Sequence, residues 1–167
     1  MTLAAGQTVR EKTLMTNRNL TNRRMAATIG AVLMGLSTAA AQAAPYVMYK
    51  DPFCGCCTEW VARARKGLKA QIQSRDEANM AQLKAKLGVP AGLSSCHTAV
   101  IGGYVIEGHV PAKDIARLLK ERPKGVKGLA VAGMPLGSPG MEAGGRVQPY
   151  EVMAFGKNRR RVFARYP

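Results

Sequence analysis

Three cysteines crowd four positions in Cys54-Gly55-Cys56-Cys57, and a fourth, Cys96, follows far along the chain. A thiolate is both a nucleophile and a soft metal ligand. Cys54 and Cys57 bracket two residues, the spacing of a dithiol–disulfide exchange pair. Cys56 complicates that chemistry, because a third thiol beside an exchange pair can attack it and scramble the product. Three clustered thiolates make more sense around something positive, and thiolate suits Cu(I), zinc or iron–sulfur clusters. A single tetrahedral zinc more often takes ligands from two separated pairs. Adjacent sulfurs on a turn are placed to bridge more than one metal. The exported, oxidising location that the N-terminus indicates disfavours an exposed iron–sulfur cluster, and copper is more often handled outside the cytoplasm, so copper is the first choice. The expected metal ligands are therefore Cys54, Cys56, Cys57 and Cys96. A structural disulfide from Cys96 to one of the other three is the alternative. A reversible disulfide in the metal-free state is compatible with either. His97, His109, Met134 and Met141 are further candidates, as ligands or as hydrogen-bonding partners of ligands. Each also has a bland reading: an ordinarily hydrogen-bonded histidine, or a methionine filling a loop.

These side chains need a scaffold. Tyr46 to Lys50 reads as a strand, and Asp51-Pro52 ends it. A helix is predicted from about Cys56 or Cys57 to about Ala70, with Val61, Ala64 and Leu68 on one face. That places the cysteines at a helix N-terminus, where unpaired amides and the macrodipole favour a negative sulfur. Trp60 and Met48 are expected to pack in the core. Ser74-Arg-Asp-Glu77 matches a capping box. It predicts a second helix with Met80, Leu83 and Leu87 inward, stopped by Gly88 and Pro90. Ala91 to Ser95 is then a loop that delivers Cys96-His97. Thr98–Ile101 and Tyr104–Glu107 read as a hairpin around Gly102-Gly103. A third helix follows Pro111, burying Ile115, Leu118 and Leu119. Lys124 to Gln148 reads as an irregular loop, and Tyr150–Phe155 with Arg161–Tyr166 as a terminal hairpin. The order is β-α-α-β-β-α with a C-terminal β-hairpin, an α/β (α+β) chain of thioredoxin-like arrangement. In such folds the working cysteines sit where the first helix begins.

The compartment is read from the N-terminus. Arg18, Arg23 and Arg24 precede an uncharged run from Met25 to Ala41, which ends in Ala41-Gln42-Ala43. A positive segment, an apolar segment and a small-x-small site together describe a secretory signal peptide. The run is short and rich in small residues for a membrane span. Residues 1–43 are thus expected to be a signal peptide cleaved near Ala43, and 44–167 the mature domain, exported to the periplasm without a stable membrane anchor. The chain has 167 residues and a net charge of +15. Nucleic acid is not the expected partner, because the chain lacks the interleaved aromatic and basic residues of a stacking platform.

Tyr49-Lys50-Asp51-Pro52-Phe53-Cys54-Gly55-Cys56-Cys57-Thr58-Glu59-Trp60 resembles the opening of the CopG-like family of exported copper-resistance proteins, formerly a domain of unknown function. Leu93-Ser94-Ser95-Cys96-His97-Thr98, Gly103 to Pro111 and Gly128 to Glu142 are similar to further blocks of that family. Val131-Ala132-Gly133 departs from it, where a proline before the glycine is expected. The resemblance implies a thioredoxin-like fold and Cu(I) held by Cys54, Cys56, Cys57 and Cys96 as a multinuclear cluster. It also implies a role in copper resistance, with Cu(I)/Cu(II) redox activity, a copper oxidoreductase, as one form. Copper ions and other periplasmic copper-handling proteins are the implied partners. A thiol–disulfide oxidoreductase using the nested C-x-x-C is the alternative function.

Overall fold

The computed structural model describes residues 46–157 and 159–167. The expected signal peptide and Asn158 lie outside them. Seven strands form one mixed sheet, in the order β2-β1-β3-β4-β5-β6-β7. The strands are β1 (Tyr46–Lys50), β2 (Ile72–Asp76), β3 (His97–Ile101), β4 (Tyr104–Glu107), β5 (Gly128–Ala130), β6 (Tyr150–Gly156) and β7 (Arg159–Tyr166). The helices are α1 (Gly55–Leu68), α2 (Met80–Leu87) and α3 (Ala112–Glu121), with a short 3-10 turn at Ala91–Leu93. The mixed α+β class is as expected. The β1-α1-β2 unit followed by β3-β4-α3 is compatible with a thioredoxin-like layout, and β5 to β7 widen the sheet beyond it.

Strand alternation divides the core between the two faces of the sheet. Met48, Ala99, Ile101, Ile106 and Leu129 point to one face, where they meet Trp60, Val61 and Ala64 of α1 and Ile115 and Leu118 of α3. Val105, Ala130 and Phe155 point to the other, where they meet Val89 and Leu93, with Leu87 of α2 against them. Trp60 and Met48 are fully buried, as expected. Cys96 directly precedes β3 and His97 opens it, so their position is set at the end of a central strand.

Two strands escape the sequence pattern. The stretch Ile72–Asp76 buries only Ile72. It is held by parallel main-chain pairing with β1, at an exposed edge where charged side chains are normal. The capping-box expectation at Ser74–Glu77 therefore fails. Ser74 is in β2, and α2 starts later, with the Asn79 side chain accepting from Gln82 N at 3.0 Å. Glu77 turns instead to Asn79 N, at 2.8 Å. The other strand, β5, lies inside the stretch read as loop. It is three residues long and wholly buried between β4 and β6. Gly128 is required there. A Cβ would stand 1.9 Å from Val105 O and 2.8 Å from the Phe155 ring. The Gly102-Gly103 turn, the stop at Gly88 and the terminal hairpin are where the sequence places them.

Candidate metal centre

The sulfurs meet where α1 begins. An Asx turn, with Phe53 N donating to Asp51 Oδ1 at 2.9 Å, and a bond from Cys54 N to Asp51 O at 3.0 Å reverse the chain after β1. Lys50 braces this turn by donating to Asp51 O and Pro52 O while pairing with Asp76. Cys54 is then the N-cap residue of α1, and Cys56 and Cys57 lie in its first turn. Cys54 and Cys57 are joined by a disulfide, with Cα atoms 5.5 Å apart. Cys56 and Cys96 are free and partly exposed. The disulfide thus falls within the nested C-x-x-C, and the alternative bridge from Cys96 is not formed.

Cys56 Sγ is the central atom, 3.5 Å from Cys54 Sγ and 4.0 Å from Cys96 Sγ. All four sulfurs lie within 4.8 Å of one another. Two sulfurs bound to one metal at about 2.3 Å each stand at most about 4.6 Å apart. The donor set therefore needs little movement to share a soft ion, once the disulfide is reduced. A second overlapping set is Cys96, His97 and His109. Both histidines expected from the sequence are brought to the site, and both are fully buried.

One hydrogen bond fixes the tautomer of His109. His109 Nδ1 lies 2.8 Å from Pro139 O. A carbonyl can only accept, so Nδ1 carries the proton and, in the neutral ring, Nε2 carries the lone pair. Cys96 Sγ lies 3.1 Å from that Nε2, so the thiol donates to it. His97 Nδ1 is 3.2 Å from the same sulfur. His97 Nε2 is the one buried side-chain nitrogen or oxygen among the described residues with no hydrogen-bond partner. Burial holds His97 well below the ordinary imidazole range, with the neighbouring His109 and Lys84 adding to the effect. Burial also lowers His109, partly offset by its bond to Pro139. The Cys96 thiol is pushed up to about 12, by burial first and by Cys56 second. In the metal-free protein it is a neutral thiol.

Trp60 backs the cluster. Its ring centroid is 4.4 Å from that of His97, and its Nε1 donates to Val110 O at 3.0 Å. The segment after β5 closes the other side. Gly140, at φ +85°, rests on the first turns of α1, where a Cβ would stand 2.8 Å from Cys56 O and Trp60 N. Glu142 fastens the segment by pairing with Arg63 at 2.9 Å. Of the two methionine candidates, Met134 is half exposed. Met141, one residue past Gly140, is partly buried but does not join the core cluster that Cys54, Cys56 and Cys96 border.

Behind the site lies a polar group that side-chain periodicity does not reveal. Lys84 shares the face of Met80, Leu83 and Leu87, which are only half-buried; it is the buried residue of α2 and pairs with the fully buried Glu107 at 2.6 Å. A glutamate closing an apolar strand run, opposite a threonine, was the available signal.

Two solved structures of a copper resistance protein CopG are similar to this chain. Form 2 is 40% identical and aligns with a TM-score of 0.69, covering 74% of this chain and 100% of that one. Form 1 is also 40% identical, with a TM-score of 0.66, covering 74% and 97%. The chain belongs to the CopG-like family. The family model described as a protein of unknown function, DUF411, matches residues 93–141, the span that contains Cys96, His97 and His109. No curated protein matches the chain. A CopG-like chain with a cysteine cluster, it has a copper-related function.

Proposed function

We propose that this chain is a periplasmic copper-binding protein of copper resistance, holding Cu(I) as a multinuclear cluster on Cys54, Cys56, Cys57 and Cys96. One observation carries the reading. Sulfurs from two distant parts of the chain converge on Cys56, at 3.5 and 4.0 Å. Thiolate is the soft donor that Cu(I) prefers, and a sulfur with sulfur neighbours on two sides suits bridging. His97 and His109 then serve as partners of Cys96. Ligation requires the Cys96 proton to leave, and His109 Nε2 is the adjacent acceptor. Binding by all four sulfurs also requires the Cys54–Cys57 disulfide to accept two electrons from an external dithiol reductant, which is itself oxidised to its disulfide. Export is supported by the signal-peptide pattern of residues 1–43, with 44–167 as the mature domain. No helix among the described residues is long and apolar enough to cross a membrane. Other periplasmic copper-handling proteins are the proposed partners, and Cu(I)/Cu(II) turnover is the proposed form of any redox activity.

The test is anaerobic titration of the reduced, metal-free protein. More than one Cu(I) per chain is expected. Binding of zinc alone, at one per chain, would overturn the reading.

The Cys54–Cys57 disulfide at a helix N-terminus favours a second reading, a thiol–disulfide oxidoreductase. It predicts metal-free turnover on a disulfide substrate and indifference to Cys56→Ser.

A further inference from the structure

Three of the four sulfurs are spaced by one helix, but Cys96 reaches them from the start of β3, and something must hold that approach. The hold comes from the opposite face of the sheet. Ser95 N donates to Glu107 Oε1 at 2.6 Å. The same oxygen accepts from Lys84 Nζ at 2.6 Å, and Oε2 accepts from the Thr98 hydroxyl at 2.6 Å. Lys84 Nζ also donates to Thr98 Oγ1, at 2.9 Å. Thr98 and Glu107 are register partners across β3 and β4. Their neighbours Ala99 and Ile106 point to the α1 side, so these two point to the α2 side.

A buried ion pair is a poor source of stability, because well-packed apolar residues of the same volume often do as well or better. What this pair supplies, and apolar residues would not, is an acceptor for the backbone amide next to Cys96. Lys84 and Thr98 hold the carboxylate in place. On the far side the segment is tied again, by the Ser95 hydroxyl to Gly133 O and by Gly133 N to Ser94 O.

We propose that Glu107, braced by Lys84 and Thr98, is a positioning residue for the metal centre: by holding Ser95 N it sets the reach of Cys96 Sγ toward Cys56 Sγ. The affinity consequence rests on the Cu(I) reading above, whereas the positioning itself can be measured without metal.

Two double variants isolate the acceptor. Lys84→Met/Glu107→Gln removes both charges and keeps an oxygen for Ser95 N. Lys84→Met/Glu107→Met removes both charges and the acceptor at similar volume. The first readout uses the reduced, metal-free full chain. Alkylation rates of Cys96 and Cys56 by iodoacetamide are followed by peptide mass spectrometry. General loosening raises both rates, whereas loss of positioning raises the Cys96 rate alone. The Cys96-to-Cys56 ratio should rise about tenfold in the Met variant, the equivalent of one hydrogen bond to a charged acceptor. It should stay near the wild-type value in the Gln variant. Equal ratios in the two variants would overturn the proposal. Should the Met variant not fold, amide exchange in the wild-type protein decides instead. Protection of the Ser95 amide is expected, and exchange at the rate of an open loop would overturn the proposal. In Cu(I) competition, the Met variant should bind about tenfold more weakly than the Gln variant, on the same hydrogen-bond scale. If the wild type takes up no Cu(I), the proposed function fails, and alkylation and exchange still decide the role of Glu107.

Discussion

Cys56→Ser separates the two functional readings most sharply. Cys56 Sγ is the atom that connects the α1 sulfurs to Cys96, with neighbours at 3.5 and 4.0 Å. Replacing it leaves the Cys54–Cys57 pair intact and removes the link to Cys96. Mutations of groups that merely support a metal ligand typically cost 10–100-fold in affinity. Loss of a ligand placed to bridge should therefore cost at least about 100-fold, or about 2.7 kcal/mol. It should also lower the number of Cu(I) ions bound per chain. The fold should not suffer, because Cys56 is a partly exposed residue of the first turn of α1. Serine keeps its shape, so the change in unfolding free energy should stay within about 0.5 kcal/mol. The assay is anaerobic competition of the reduced protein with a colorimetric Cu(I) chelator, alongside urea unfolding of the metal-free form. Wild-type stoichiometry with affinity within about threefold, well short of the support-group range, would refute the bridging argument and leave the disulfide-exchange reading as the better one.

Glu107→Ala leaves the Lys84 ammonium buried and unpaired, and should destabilise the protein by about 3–5 kcal/mol in urea unfolding. Adding Lys84→Met should recover part of that loss, and no recovery would mean the charge is not the problem. Phe53 is 95% exposed, so Phe53→Ala should change the unfolding free energy by less than about 0.5 kcal/mol, and a larger change would show that it packs in solution. At high pH the stacked tyrosines should matter. Burial raises Tyr150 to about 12, and burial together with the bond to Asp114 raises Tyr166 further. The folded state thus keeps these protons after the unfolded chain has lost them. Their contribution is fully present below about pH 10 and is lost as pH rises through the folded values. Urea midpoints should fall above about pH 10, and Tyr166→Phe should flatten that fall; an unchanged slope would exclude Tyr166 as its source.

How far the fold could be read depends on what each element buries. Helix α3 was legible because Ile115 and Leu118 fall on one face and meet the sheet. The β3–β4 hairpin was legible because two apolar runs flank a Gly-Gly turn. Strand β2 carries one buried residue in five, so hydrophobic alternation could not reveal it, and its polar Ser–Arg–Asp–Glu run imitated a helix cap. Strand β5 is too short for any periodicity, and its glycine, which signals a loop in sequence, is there because two neighbours leave no room for a side chain. In both cases the deciding interaction is main-chain pairing with a strand distant in sequence, which side-chain patterns record poorly.

The site divides along the same line. Side chains whose chemistry is intrinsic could be named from residue type: the four cysteines converge, and both histidines next to Cys96 are buried there. What sequence could not supply is the order imposed on them. The oxidised pair is Cys54–Cys57, and the sulfur left at the centre is Cys56, because a helical first turn sets which atoms face one another. The tautomer of His109 depends on a single carbonyl, Pro139 O, in a segment that reads only as glycine-rich loop. That carbonyl makes His109 Nε2 an acceptor, which makes Cys96 the donor. A proline carbonyl far along the chain thereby sets the proton arrangement around the one cysteine that α1 does not carry. The loop after β5 is part of the site through its backbone, by Pro139 O on His109 and Gly140 against the first turns of α1.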